Sequence, residues 1–181
     1  RNRRRRYNLP PRMGSSNNIV TKILKMKKDT IIFDLDGTLA DIDKRRSISK
    51  LPNGKMDWKT FFDPANIALD KPNHAVIKMA QTFNDQGFKI VIFSGRSKAT
   101  KDATKDWLTQ FDVPHHVLKM RPTGHPWTFM PDDKLKQHWL DEIFPGDQKD
   151  RILTVFDDRN KVVEMWREND LSCFQVAPGD F

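Results

Sequence analysis

Apolar runs alternate with segments of helical periodicity along the chain from residue 30 onward. Short apolar or β-branched runs predict five strands, at 30–33, 89–93, 115–120, 151–156 and 172–176. Apolar residues at helical spacing predict four helices between them, at 74–85, 98–111, 135–144 and 161–169. Strands that alternate with helices favour a parallel sheet with right-handed crossovers and helices on both faces. The pattern therefore predicts one three-layer α/β domain with a central parallel sheet.

Two segments lack this pattern. Residues 40–72 are mixed and polar, and little more than one small helix is expected there. Trp58, Phe61 and Phe62 are expected to pack this segment against the domain. Residues 124–131 contain Trp127 and Phe129, which form either a local lid or a cover over the core.

Polar residues suited to chemistry follow three of the predicted strands. In open parallel sheets ligands bind beyond the carboxyl ends of the strands, so side chains that follow several strands converge there. The residues are Asp34 and Asp36 after the first strand, Ser94 and Arg96 after the second, and Asp157 and Asp158 after the fourth. Gly37 permits a sharp turn beside the first pair. The sequence thus predicts one polar pocket at this edge of the sheet.

The string IIFDLDGTLA at residues 31–40 resembles the first motif of the haloacid dehalogenase superfamily. The resemblance implies a Rossmann-like fold in which Asp34 attacks phosphorus and forms an aspartyl-phosphate. Asp36 would act as the general acid and base, and Thr38 would bond a phosphate oxygen. An aspartate at the second position is typical of the phosphatase branch.

Two further motifs of the superfamily have counterparts here. Ser94, with the backbone around Gly95, would bind the transferring phosphoryl group, although Ser94 equally suits the cap of the next helix. Arg96 would contact phosphate or belong to the surface. The superfamily also needs a lysine beside the nucleophile; Lys134 and Lys136 are both candidates, and the spacing favours Lys136.

The same resemblance implies a Mg²⁺ ion. Mg²⁺ prefers oxygen ligands, and clustered carboxylates repel one another without a cation. Asp34, the backbone carbonyl of Asp36 and Asp157 are the expected ligands, with Asp158 as a further ligand or as the neighbour of one.

From about Thr30 to the last residue, the chain resembles the 3′-phosphatase domain of bacteriophage-type polynucleotide kinase. The first motif and the tail over 156–181 carry this resemblance. It implies removal of 3′-phosphate from polynucleotide ends, with Arg45 and Arg121 as additional phosphate contacts. The sequence contains no Gly-x-x-x-x-Gly-Lys-Ser/Thr loop, so a separate kinase or ligase partner is expected. The short segment 40–72 implies a minimal cap and an open site.

Two other functions use the same sequence features. A nucleotidase or another small-molecule phosphatase would carry the same motifs. A non-catalytic nucleic-acid-binding module would rely on the basic leader at residues 1–28. Turnover of a 3′-phosphorylated oligonucleotide and of mononucleotides distinguishes these alternatives.

Charge is distributed unevenly along the chain. The net charge is +8, and residues 1–29 hold ten of the 32 basic residues and one of the 24 acidic ones. We therefore expect a disordered basic leader at 1–28 and a nearly neutral phosphatase domain at 29–181. Cys173 is the single cysteine, and no apolar run is long enough for a membrane span. A cytoplasmic location is expected, which for a viral protein means the host cytoplasm.

Overall fold

The computed structural model describes residues 27–179. Seven strands lie in this range: β1 Thr30–Asp34, β2 Ala40–Asp41, β3 Lys71–Pro72, β4 Lys89–Ser97, β5 Val117–Arg121, β6 Ile152–Asp157 and β7 Cys173–Gln175. The α-helices are α1 Asp43–Ile48, α2 Trp58–Phe61, α3 Pro64–Ile67, α4 His74–Asp85, α5 Lys101–Gln110, α6 Asp132–Ile143 and α7 Asn160–Glu168. Three 3₁₀ turns lie at Lys98–Thr100, Trp127–Phe129 and Gly146–Arg151.

Five strands form the central sheet, in the order β5-β4-β1-β6-β7, and every adjacent pair is parallel. All five residues of β1 are buried, which fits a strand with a neighbour on each side and a helical layer on each face. In the register, Asp34 lies beside Phe93 of β4, and Phe33 lies beside Phe156 of β6. The predicted three-layer α/β fold is therefore confirmed.

Each face of the sheet has its own apolar core. On one face, Ile31 and Phe33 of β1 pack in a cluster that includes Val76 and Ile77 of α4 and Trp107 of α5. On the other face, a second cluster joins β1, β4 and β6 to α6 and α7; its members include Ile32, Phe93, Leu135, Trp139 and Trp166. The alternation of Ile31, Ile32 and Phe33 between the two clusters follows from the two-residue period of a strand.

The segment 40–72 has more structure than the single small helix that the sequence predicts. It contains three short helices and a two-stranded antiparallel sheet of β2 and β3. Aspartates begin two of the helices, because Asp57 and Asp63 accept backbone N–H groups from the first turns of α2 and α3. Phe61 is buried as expected, but Trp58 remains 59% exposed, so the expectation that it packs the segment down is wrong.

The ends of several other elements differ from the prediction by a few residues. β4 continues to Ser97 because Ser97 pairs with Arg121 after an irregularity in the register. The helix predicted to begin at Leu135 begins at Asp132, directly after Pro131. Within residues 27–179, no helix is long and apolar enough to cross a membrane. The leader predicted at 1–28 lies, except for its last two residues, outside the described residues.

Candidate active site

The carboxyl ends of three adjacent strands bring the predicted site residues together. Asp34 is the last residue of β1, in the centre of the sheet. β4 supplies Ser94 on one side of it, and β6 supplies Asp157 on the other. The convergence follows from strand order alone, since parallel neighbours end at the same edge.

Three aspartates form a buried acidic cluster at this edge. Oxygen atoms of Asp34, Asp157 and Asp158 lie within 4.8 Å of one another, and all three residues are buried. Gly37 allows this approach: a Cβ atom there would lie 2.1 Å from a carboxylate oxygen of Asp158, and its φ is +91°. The hydroxyl of Thr38 donates to the other oxygen of Asp158 at 3.4 Å. Buried carboxylates in such a group are a suitable oxygen-ligand set for Mg²⁺.

Lys136 projects from α6 into this acidic cluster. Its Nζ lies 2.5 Å from Oδ1 of Asp34 and 2.8 Å from Oδ2 of Asp157, and the side chain is 3% exposed. Lys134 is 73% exposed and pairs with Asp133 at 3.7 Å. Of the two candidate lysines, the fold therefore brings Lys136 to Asp34. The indole of Trp166 donates to Asp157 at 3.1 Å and fixes the far side of the cluster.

Burial and mutual repulsion control the protonation of these groups. Burial raises the pKa of Asp34 well above its ordinary value, Asp157 and Asp158 raise it further, and Lys136 opposes them. Burial, followed by the charge of Asp157, raises the pKa of Asp158 to about 6. Burial alone would lower the pKa of Lys136, but Asp157 and Asp34 outweigh it and raise that pKa. A bound cation would favour the ionised carboxylates.

Asp36 lies in a different environment from Asp34, although only one residue separates them. Its Oδ1 accepts hydrogen bonds from Arg45 at 2.8 Å and from Arg96 at 2.7 Å. Both guanidinium groups also donate to the carboxylate of Asp70. Arg45 donates to each of its two oxygens at 2.9 Å, and Arg96 donates to Oδ2 at 2.7 Å. Arg45, Arg96 and Asp70 are fully or almost fully buried. These four residues, with two positive and two negative charges, form the arginine–aspartate network.

The network separates the pKa values of its two acids. Burial opposes ionisation of Asp36, but the charges of Arg96 and Arg45 outweigh burial and lower its pKa to about 2. Burial dominates at Asp70 and raises its pKa to about 6. Arg45 and Arg96 were predicted to contact phosphate; in this structure they hold the carboxylate of Asp36, and a phosphate role remains a prediction.

Arg121 closes the site on the β4 side. Its guanidinium donates to the backbone oxygens of Gly95, Trp127 and Met130 and to the carboxylate of Asp132. Asp132 also accepts from Arg159. The loop before α6 is therefore fixed to the backbone that follows Ser94.

The sequence left two alternatives open for Ser94 and two for residues 124–131, and the structure bears on both. Ser94 is buried, and its hydroxyl accepts the N–H of Arg96 at 3.3 Å. The next helical turn is capped by Ser97, which accepts the N–H of Ala99, so a capping role for Ser94 is wrong. In the later segment, Trp127 packs against the core, whereas Phe129 is 86% exposed.

Several known proteins are similar to this domain. Residues 28–181 match the family model of the polynucleotide kinase PNKP phosphatase domain. The chain belongs to this family. It is therefore a phosphatase domain with the haloacid dehalogenase fold, as the first motif implied.

Similar proteins extend beyond the length of this chain. A protein of Autographa californica nuclear polyhedrosis virus, to which bifunctional polynucleotide kinase/RNA ligase activity is attributed, is 30% identical over 141 residues, 76% of this chain and 18% of its own. A chain of the Pnkp1/Rnl/Hen1 RNA repair complex is 32% identical with a TM-score of 0.66, covering 87% of this chain and 45% of that one. This chain thus spans less than half of either relative.

A more distant structure has the same fold. The class C acid phosphatase from Bacillus anthracis with tungstate bound has a TM-score of 0.58 at 15% identity, over 91% of this chain and 72% of that chain. At this identity the likeness shows the fold alone.

Sequence reasoning missed two residues of the site. Asp70 lies at the end of the weakly patterned segment, 34 positions after Asp36 in the printed sequence, and nothing local marks it as buried. Asp132 lies shortly before the two candidate lysines in the sequence, and nothing local marks it as part of the site. Its ion pairs with Arg121 and Arg159 depend on the path of the loop before α6.

Proposed function

We propose that this domain removes 3′-phosphates from polynucleotide ends by Mg²⁺-dependent hydrolysis through an aspartyl-phosphate at Asp34. The observation that carries the proposal is the contrast between Asp34 and Asp36. Asp34 lies with acids and Lys136, whereas Asp36 is held by two guanidinium groups. Neighbouring carboxylates in contrasting environments are suited to different roles in one reaction.

In the first step, an oxygen of Asp34 attacks phosphorus, and the bond from phosphorus to the 3′-oxygen breaks. A proton from Asp36 goes to the departing oxygen, which leaves as a 3′-hydroxyl. Lys136, 2.5 Å from Asp34, orients the nucleophile and offsets the negative charge of the phosphoryl oxygens. In the second step, water attacks phosphorus, Asp36 takes up its proton, and inorganic phosphate leaves Asp34.

The low pKa of Asp36 means that this residue is ionised in the free site. A phosphate dianion placed beside it adds negative charge, which raises its affinity for a proton. The same anion attracts Arg45 and Arg96, which now satisfy Asp36. Substrate binding therefore favours the protonated form that the first step requires.

Asp34, Asp157 and Asp158 are suited to hold Mg²⁺, together with the backbone carbonyl of Asp36. Three buried carboxylates within 4.8 Å provide oxygen ligands, and Lys136 neutralises only one of their charges. When bound, the ion shields the repulsion between Asp34 and the phosphate.

The polynucleotide substrate is supported by the family and by the shape of the domain. The chain is similar to a chain of an RNA repair complex and to a viral protein with attributed kinase and ligase activities. The insertion after β1 contains helices of six, four and four residues and a sheet of two two-residue strands, a minimal cap that leaves room for an extended substrate. A kinase or ligase partner would act on the 3′-hydroxyl end or on the opposite 5′ end.

The test is phosphate release from a 3′-phosphorylated oligonucleotide, with 3′- and 5′-mononucleotides as competing substrates, in Mg²⁺ and in EDTA. We expect Mg²⁺-dependent release that prefers the oligonucleotide and falls at least about 10³-fold in Asp34→Asn. Preference for mononucleotides would replace the polynucleotide assignment by that of a nucleotidase. Full activity of Asp34→Asn would refute the assigned nucleophile.

A further inference from the structure

The most exposed aromatic ring of the insertion after β1 is linked to the active site through a short series of contacts. Arg45, which binds Asp36, has its guanidinium carbon 4.3 Å from the centroid of the Phe61 ring and donates to the Phe61 carbonyl at 3.3 Å. The Phe61 ring in turn meets the ring of Trp58 in a T-shaped contact at 5.5 Å. Two residues thus separate Trp58 from the predicted general acid.

Trp58 has one supported face and much open surface. Its ring stacks on Phe62 with centroids 5.9 Å apart and an interplanar angle of 19°. Phe61 makes a T-shaped contact with the same ring, and the residue is still 59% exposed, so part of the indole surface is accessible to a flat ligand. Such a ring, held by two aromatic neighbours, loses little rotational freedom when another ring stacks on it.

The backbone around Trp58 is fixed by a hairpin turn. The carbonyl of Ser49 accepts the N–H of Asp57 at 2.8 Å. Within the turn, the N–H of Leu51 donates to the carbonyl of Lys55 at 2.8 Å. Asp57 then caps α2, which begins with Trp58. The ring therefore projects from a defined backbone.

Charge favours a polyanion as the ligand of this surface. Four exposed lysines lie between β2 and the end of α2 and make no ion pair within residues 27–179: Lys44, Lys50, Lys55 and Lys59. Asp57 and Asp63, which lie on either side of Trp58 in the sequence, accept backbone hydrogen bonds from the starts of α2 and α3. Phosphodiester groups pair with such lysines, while bases stack on aromatic side chains whatever the sequence.

We infer that Trp58 and the four lysines form a binding surface for the single-stranded polynucleotide that leads into the phosphate site. The inference rests on the proposed function, which it deepens by assigning the contacts to the strand away from the reacting phosphate. A nucleobase extends the Trp58–Phe62 stack, and the lysines contact the phosphodiester backbone.

The experiment compares two 3′-phosphorylated oligonucleotides of one length, one with bases throughout and one with abasic residues at its three positions nearest the 3′ end. For Trp58→Ala we expect KM for the base-bearing strand to rise about tenfold, with turnover of the abasic strand unchanged. Trp58→Phe keeps a ring and should restore most of the loss. Phe174→Ala is the matched control, because Phe174 is also 59% exposed but lies on β7, an edge strand of the central sheet and not part of the insertion.

Salt dependence tests the lysines separately. For the double variant Lys55→Gln/Lys59→Gln we expect weaker binding of both strands and a slope of log K against log salt that is shallower by about 1.4, or 0.7 for each charge on a single strand.

An equal loss on the base-bearing and abasic strands in Trp58→Ala would overturn the stacking assignment, as would no loss on either. A surface that binds a protein partner instead would give this second result.

Binding without chemistry separates this inference from the proposed function. Fluorescence anisotropy of the 3′-hydroxyl oligonucleotide, which has no phosphate to release, measures the surface alone. Trp58-dependent binding without any release from 3′ ends would retain the surface and refute the function. Release from 3′ ends by a protein whose binding does not depend on Trp58 would retain the function and refute the surface.

Discussion

Asp70→Asn is the substitution that tests the arginine–aspartate network most directly. Asn is close to Asp in size and shape, so the substitution removes one negative charge and one acceptor and creates no cavity. Arg45 and Arg96 would then share only the carboxylate of Asp36. Two buried positive charges would face one negative charge.

The structure sets the size of the expected effect. Asp70 accepts three hydrogen bonds of 2.7–2.9 Å from two guanidinium groups, and its side chain is fully buried. Removal of one partner from a buried ion pair typically costs 3–5 kcal/mol, and Asn retains one acceptor, so we expect about 3 kcal/mol. For a domain of this size that loss lowers Tm by roughly 6–12 °C. We also expect kcat to fall on the order of tenfold to a hundredfold, because the two arginines that hold Asp36 lose Asp70, the partner that fixes their own positions.

Calorimetry and steady-state kinetics on the same preparations measure both effects. Asp106→Asn is the matched control: it is the same substitution at an exposed residue of α5, next to Trp107, whose indole donates to the backbone carbonyl of Asp70. The control should change Tm by no more than about 1 °C. An Asp70→Asn protein with the Tm and kcat of the control would refute the claim that this network positions Asp36.

Two further predictions concern the acidic cluster. Lys136→Met should lower kcat about 10²–10³-fold, because the reacting group loses a charged hydrogen-bond donor. Lys134→Met is the control and should leave kcat unchanged. Equal losses of phosphate release in the two variants would contradict the assignment of Lys136. The second prediction concerns metal and pH. The folded pKa of Asp158, about 6, lies above its ordinary 3.8, so the metal-free protein should lose stability as pH rises through that window. Mg²⁺ competes with protons, so its addition after EDTA treatment should raise Tm more at pH 7 than at pH 5; an equal rise at both would contradict a carboxylate site.

The fold was predictable because its signal is local and repeated. Each strand of the central sheet has a short apolar run, and α4 begins and ends at the residues that its spacing predicts. The insertion after β1 was not predictable in the same way, because helices of four residues depend on caps such as Asp57 and on packing, and have no period to detect. Trp58 shows the same limit, because the sequence of such a segment does not indicate which of its aromatic rings is buried.

The site was predictable where it follows strand ends and unpredictable where it depends on distant loops. Asp34, Ser94 and Asp157 meet because adjacent parallel strands end together, which the order of elements already implies. Lys136 reaches Asp34 from a position 102 residues later, and only its spacing within a known motif indicated it. Asp70 had neither signal, since the two arginines that it holds come from α1 and β4 and meet only in the folded chain.

Charge divides this active site into two parts that should respond to different perturbations. Asp34, Asp157 and Asp158 face one Lys136, which leaves two negative charges when all four groups are ionised. The arginine–aspartate network is balanced, because its two guanidinium groups match its two carboxylates. A divalent cation would neutralise the first part, whereas the side chains of the second part have no excess charge for it to balance. Chelation should therefore act on the cluster around Asp34 while the network still holds Asp36, and loss of Asp70 should disturb the arginines that hold Asp36 while the proposed metal ligands stay in place.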